Sequence, residues 1–277
     1  MPATVTPIPL LCPVRNCHSP LTRGERTWTC PRGHSFDVAR SGYCNLLQPQ
    51  DRRSRQPGDS REAAEARRRL FAAGHSEPVL REILALLEGA PAGAGVLDVG
   101  CGEGSMLGGV ARERSVEAHG IDISVPSIEL AARAFPAATW IVGNADRFLP
   151  YGDEAFAMVM SLTARLHPAE MRRVIAPAGR LIVAVAGPDD LIELREALLG
   201  EGVVRDRLER AAAELAGLFE LVERRTVRHT AHLDPAGVRD VLASSYRGAR
   251  ESERRRLEDL SGLAVTFSRE VGLFRPV

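Results

Sequence analysis

The twelve residues GVLDVGCGEGSM, positions 95–106, decide how the rest of the chain is read. An apolar run containing one acid, Asp98, enters a turn with glycines at 100, 102 and 104 and continues into a helical pattern. Strand, glycine-rich turn and helix, in that order, make the first unit of a nucleotide-type α/β fold. Glycine belongs there because a Cβ would strike a ligand lying on the backbone or forbid the dihedrals the turn requires. The spacing is Gly-x-Gly-x-Gly, unlike the Gly-x-Gly-x-x-Gly that cradles a dinucleotide pyrophosphate.

On either side the alternation of helix and strand continues. Val79, Leu80, Ile83, Leu84 and Leu87 give a helical stripe before the turn, and EAHGIDIS (117–124) gives a second strand ending at Asp122. An acid at that point is placed to accept hydrogen bonds from both hydroxyls of a ribose. TWIVGNADRFLPYGDEAFAMVMSL (139–162) supplies a third strand, the Asn144-Ala145-Asp146 loop and a fourth strand. RLIVAVAG (180–187), after Pro177-Ala178-Gly179, is a fifth. Residues 190–217 read as helical with Leu191, Leu194, Leu198 and Leu199 buried, followed by a strand at Leu221–His229, a helix at 235–244, an Arg-rich helix near 250–260 and the closing strand GLAVTFSREVGLF (262–274). The ordered set Asp98 to Gly104, Asp122 and Asp146 resembles the S-adenosylmethionine site of class I methyltransferases, in which the position of Asp146 faces the adenine amino group. The expected binding residues are Asp98, Gly100, Gly102, Glu103, Gly104, Asp122, Ile123, Ala145 and Asp146, in a Rossmann-like, seven-stranded α/β sheet.

Ahead of this domain, Cys12-x4-Cys17 and Cys30-x3-His34 have the spacing of zinc ligands. Pro13 and Asn16 flank one pair and Pro31 and Gly33 the other, so each pair can form a tight knuckle. The intervening HSPLTRGERTWT (18–29) reads as a hairpin turning at Arg23-Gly24. A disulfide network is the competing reading, but it leaves His34 without a role and fits poorly in a chain whose start, MPATVTPIPLLCPV, has no secretory pattern. Some forty residues bury too little apolar surface to fold unaided, and four protein ligands leave no open position, so a Zn2+ ion here is expected to be structural. Cys44 and Cys101 fall outside the spacing.

Composition bounds the remaining choices. Hydrophobic residues make up 44% and charged residues 26% of 277, and no apolar run approaches the ~18 residues of a membrane span. A soluble, cytoplasmic protein is expected. Formal charge is zero overall, which argues against bulk attraction to nucleic acid, yet the first 80 residues hold twelve Arg against seven acids. There is no Lys, which a GC-rich genome favouring Arg codons explains better than function does. Arg52, Arg53 and Arg55 crowd a segment, QPQDRRSRQPGDSRE (48–62), that breaks hydrophobic periodicity and reads as a linker. A helix over REAAEARRRLFAAG (61–74) follows, capped at Asp59 or Ser60 and ended by Gly74. The chain thus divides into a zinc-binding module at 1–48, an Arg-rich linker and helix at 49–75, and a cofactor-binding domain at 76–277.

Cys12, Cys17, Cys30 and His34, the stretch HSFDVARSGYCNLL (34–47), the linker RRSRQPGDSREAAEARRRLFAAGH (52–75) and VLDVGCGEG (96–104) together resemble the 23S ribosomal RNA (guanine-N1)-methyltransferases, including those that give macrolide self-resistance. The linker text carries the most weight, because no fold demands it. This resemblance covers most of the chain. It implies zinc-assisted recognition of a 23S rRNA hairpin or ribosomal subunit and methyl transfer from S-adenosylmethionine to N1 of a guanine near the peptide exit tunnel, with a homodimer left open. Ser76, Ala164-Arg165 and Asp190 depart from the family pattern around the cofactor and target base. Guanine N1 carries a proton at neutral pH, and Asp146, His167, His229, His232 and Tyr246 are the candidates to accept it. Two other readings compete: a small-molecule methyltransferase of secondary metabolism, and a non-catalytic RNA-binding assembly factor.

Overall fold

A computed structural model describes residues 7–51, 56–91, 93–199, 206–245 and 262–277. Arg52, Arg53, Arg55, Tyr246 and the Arg-rich helix expected near 250–260 lie outside the described residues. The N-terminal module contains β1 (Thr22–Arg23), β2 (Thr27–Thr29), β3 (Ser35–Asp37) and β4 (Cys44–Asn45). Two helices, α1 (Arg61–Ala72) and α2 (Glu77–Leu86), lead into β5 (Ala94–Val99), α3 (Ser105–Glu113), β6 (Val116–Asp122), α4 (Val125–Ala134), β7 (Thr139–Val142) and β8 (Phe156–Leu162). The chain ends with α5 (Pro168–Val174), β9 (Ile175–Ala186), α6 (Ile192–Leu199), α7 (Arg207–Leu215), β10 (Phe219–Leu233), α8 (Pro235–Ser245) and β11 (Leu263–Pro276). Among the described residues, no helix is long and apolar enough to cross a membrane.

The main sheet has eight strands in the order β10-β11-β9-β8-β5-β6-β7-β4. Seven match the expected class I arrangement, parallel from β9 through β7 with the antiparallel β10–β11 pair at one end. The eighth corrects the expected count. Strand β4 comes from the N-terminal module and runs parallel to β7, with Cys44 opposite Ile141 and Asn45 opposite Val142. Without it, β7 would present an unpaired edge, which folded proteins usually cover.

Apolar patterning explains the layers. Strands β5, β7 and β8 and the second half of β9 are buried on both faces and read as near-continuous apolar runs. Two clusters fill the two sides, and one of them joins Leu10, Leu21, Phe36 and Leu46 of the module to Leu97, Ile121 and Ile141 of the sheet and to Tyr151 in the loop before β8. Module and sheet therefore share a core. Helix α1 begins where expected, with Ser60 Oγ accepting from Ala63 N at 3.2 Å, and ends before Gly74 at φ +86°. The region 190–217 divides into α6 and α7; Leu191 and Leu194 are buried as expected, while the side chains of Leu198 and Leu199 lie outside the description.

Within the module, β1 and β2 form the expected hairpin, and β3 adds a third strand. Asn16 (φ 61°) and Gly33 (φ +85°) take left-handed conformations that fold the chain back at each knuckle. Cys17 Sγ and Cys30 Sγ stand 3.7 Å apart, and His34 Nδ1 lies 3.4 Å from Cys12 Sγ and 3.3 Å from Cys30 Sγ. All four donor atoms fall within 4.8 Å of one another. A tetrahedral centre with Zn–S bonds of about 2.3 Å has an S–S edge of roughly 3.8 Å, so these donors stand at the spacing one zinc ion requires. None of the five cysteines is in a disulfide, and Cys44 and Cys101 are buried away from this cluster.

Two outcomes follow for stability. Elemental analysis should find one zinc per chain, and Cys30→Ser or chelation should lower the unfolding midpoint of the whole protein, because the module shares its core with the sheet; a melt insensitive to zinc would contradict that coupling. Gly104, at φ +78°, caps α3, and a Cβ there would stand 2.5 Å from Trp140 Cη2 and 2.7 Å from Ala131 Cβ. Gly104→Ala should cost ~1–3 kcal/mol from overpacking, with roughly 1–2 kcal/mol more from the left-handed backbone, as read by urea unfolding.

Candidate active site

At the carboxyl ends of the parallel strands, the loops after β5, β6, β7, β8 and β9 surround a cavity of about 1260 Å³. Crevices in open α/β sheets form there because loops diverge where strand connections change side. All nine residues of the expected binding set except Gly104 line it. Gly104 is required for a different reason, since its Cα faces Trp140 and Ala131 in the helix–sheet interface. Gly100 (φ +76°) leaves no room for a side chain either, because a Cβ would come 2.4 Å from Ala164 Cβ. At Gly102 (φ +57°) a Cβ would meet Arg67 Nη1 at 3.1 Å.

Asp122 ties the turn together. Its Oδ2 accepts from Gly102 N at 3.0 Å and its Oδ1 from Ser124 N at 2.8 Å. Burial raises its pKa, and these two backbone donors oppose that rise. Asp98 lies deeper, with Oδ1 buried and unpartnered among the described residues. Burial, then the neighbouring charges of Asp122 and Glu103, push its carboxyl up to about 8. Glu103 is 3.7 Å from Arg67, which also pairs with Asp59 at 2.6 Å. On the adjacent loop, Asp146 N is held by Asn144 Oδ1 at 3.0 Å, and Asp146 Oδ2 accepts from Arg165 at 3.2 Å. His167 Nε2 sits 2.5 Å from Asp146 Oδ1 without the directionality of a hydrogen bond.

The far wall of the cavity is aromatic. Phe267 is stacked between His75 (centroids 4.8 Å apart, planes 10° apart) and His229 (5.3 Å, 13°). Burial lowers the pKa of both histidines, and His75 and Arg269 lower that of His229 further, so both imidazoles are neutral at pH 7. Beside the stack, Asp190 pairs with Arg269 and accepts from Ser268 N at 2.9 Å. Of the candidate proton acceptors, Asp146, His167 and His229 line the cavity, while His232 is exposed and outside its lining. The departures noted in the sequence gather here too: Ser76, Arg165 and Asp190 all line the cavity.

Sequence reasoning passed over Arg67, Asp59, His75, Phe267 and Arg269. For Phe267 and Arg269 a signal existed in the alternation of TFSRE (266–270), which puts Thr266, Ser268 and Glu270 on a buried face and the other two on the opposite one. For Arg67 there was none, because one arginine in an Arg-rich helix looks like its neighbours.

Known proteins match both halves of this architecture. Residues 10–55 fit a zinc-ribbon family described as RlmA, N-terminal, and residues 96–183 fit a methyltransferase domain family. The Streptomyces fradiae 23S rRNA (guanine(748)-N(1))-methyltransferase is 38% identical over 278 residues, covering 97% of each chain. A Micromonospora griseorubida protein named for guanine-N1 methylation of 23S rRNA is 34% identical, covering 81% of each. Among solved structures, a Bacillus halodurans protein described as a methyltransferase superposes with a TM-score of 0.50 at 16% identity, covering 71% of this chain and 97% of its own, which shows the fold alone. Zinc ribbon, glycine-rich turn and end-to-end similarity agree: the chain belongs to the zinc-containing 23S rRNA (guanine-N1)-methyltransferase family and is an S-adenosylmethionine-dependent enzyme.

Proposed function

We propose that this enzyme methylates N1 of a guanine in a 23S rRNA hairpin in the cytoplasm, at or near the position for which the Streptomyces fradiae relative is named, with reduced macrolide susceptibility as the expected consequence. One observation carries the reading. A single cavity joins the residues that suit the cofactor to an aromatic wall, and its 1260 Å³ exceeds the ~300–1,000 Å³ usual for one small ligand. That leaves room for a base beside the methyl donor. The zinc module and the segment 49–75 are proposed to hold the hairpin, through arginines suited to phosphate.

The residues present fit S-adenosylmethionine. Bound in the cavity, it supplies a methyl group on a sulfonium, which becomes a neutral thioether when that methyl departs. Asp122 is fixed by two backbone donors, and each of its oxygens keeps a lone pair for a ribose hydroxyl. Gly100 and Gly102 let the main chain approach, and Ile123 and Ala145 offer apolar surface to an adenine. Asp146, held by Arg165, is proposed to accept from the adenine amino group. Asp98 is the buried acid whose charge a cationic methionyl group would compensate. Beyond these contacts the chain has to align the guanine lone pair with the methyl group and exclude water, which is most of what such a transfer needs.

Three measurements test this. Incubation with unmodified 23S rRNA and labelled cofactor, followed by nuclease mapping, should place the label on one guanine; label on no nucleotide would overturn the reading. Asp122→Ala should weaken calorimetric cofactor affinity by roughly 10–100-fold, the worth of hydrogen bonds to a charged group. Because Asp98 titrates at about 8 in the free protein and a bound cation lowers that value, binding should release a proton. Affinity should then rise with pH by up to ~tenfold per unit below 8 and level off above it. Asp98→Asn should flatten that profile.

A further inference from the structure

The aromatic wall lies on the sheet beside the half-buried ion pair of Arg269 with Asp190. Phe267 and Arg269, two apart on β11, point to the same face. Their partners on β10, His229 opposite Phe267 and Val227 opposite Arg269, complete a four-residue patch that lines the cavity. His75, following Gly74 at the end of α1, extends the ring stack from outside the sheet.

Arg269 is held and only partly used. Its Nη1 pairs with Asp190 and donates to Ser268 O at 2.8 Å, while Asp190 is itself fixed by Ser268 N at 2.9 Å. Both contacts fall on Nη1. Nη2 and Nε, the side-on fork of the guanidinium, have no partner among the described residues. A fork of two parallel N–H donors, locked by a buried carboxylate, matches two adjacent acceptors in a plane. On a guanine, those acceptors are O6 and N7.

The reaction leaves this edge open. Methyl transfer to N1 requires the Watson–Crick edge to face the donor, and N7 with the outer lone pair of O6 stays accessible on the opposite side of the ring. We propose that Arg269, positioned by Asp190, reads O6 and N7 of the target guanine while the base rests against the wall of His75, Phe267 and His229. The inference rests on the guanine-N1 reading above. It also gives Arg269 a chemical effect: when N1 gives up its proton to one of the acceptors lining the cavity, the negative charge left on the base is shared with O6, beside the guanidinium, so the contact favours the nucleophilic form of the base.

The test uses the full-length enzyme and a 23S rRNA hairpin bearing the mapped guanine, with that guanine replaced by inosine, which lacks only the N2 amino group, or by 7-deazaguanine, which lacks N7. Wild-type enzyme should methylate inosine within about threefold of guanine and 7-deazaguanine about tenfold more slowly. Arg269→Ala should reduce kcat on guanine by on the order of 10²–10³, leave calorimetric cofactor affinity unchanged, and show no further loss with 7-deazaguanine. Full activity of Arg269→Ala, or indifference of the wild type to 7-deazaguanine, overturns the inference while leaving the guanine-N1 reading intact. A wild-type enzyme that labels no guanine overturns that reading and the inference with it. The nucleotide analogues need no protein variant, so the result stands even if Arg269→Ala fails to fold.

Discussion

The carboxylate of Asp122 is the contact on which the active region depends. Sitting at the end of β6, it receives one backbone hydrogen from the turn that follows β5 and another from the start of α4. Two adjacent strand ends and a helix start are thereby fixed to one another by a single side chain. Parallel pairing of β5 with β6 puts Val99 opposite Ile121, so the acid emerges where the glycine turn begins. A nearly buried charge is costly unless backbone donors surround it, and here they do.

Around that point the molecule uses its two metal-free and metal-held parts differently. The large sheet is held by apolar burial on both faces, whereas the N-terminal module is too small for that and relies on four ligands to one ion. Their union is close. Leu11 N donates to Pro150 O at 2.8 Å, His18 stacks on Phe148 with centroids 4.2 Å apart, and β4 enters the sheet. An RNA bound to the module is therefore bound to a rigid extension of the cavity rather than to a tethered appendage.

Much of this was legible in the residues. The glycine turn, the knuckles and the succession of strands and helices rest on local spacing, which sequence carries directly, whereas the sheet they build came from likeness to a fold class. What escaped was non-local. Nothing near Cys44 says that it will lie against Ile141, and so the eighth strand went unseen. The cavity wall draws on residues 75, 190, 229, 267 and 269, which meet only because β10 pairs with β11 and α1 ends above them. Gly104 lies off the cavity lining and against Trp140, and a glycine that makes way for a tryptophan looks the same in a sequence as one that makes way for a ligand.

The pairing of Cys44 with Ile141 also orders events during synthesis. The module leaves the ribosome ahead of the sheet, and the neighbour of β4 follows 97 residues later, a wait of roughly 5–20 s at about 5–20 residues per second. For that interval β4 has nothing to lie against. A metal captured early lets the knuckles close without the sheet, so that the exposed strand is presented by an already folded unit and not by a loose chain open to the wrong partner.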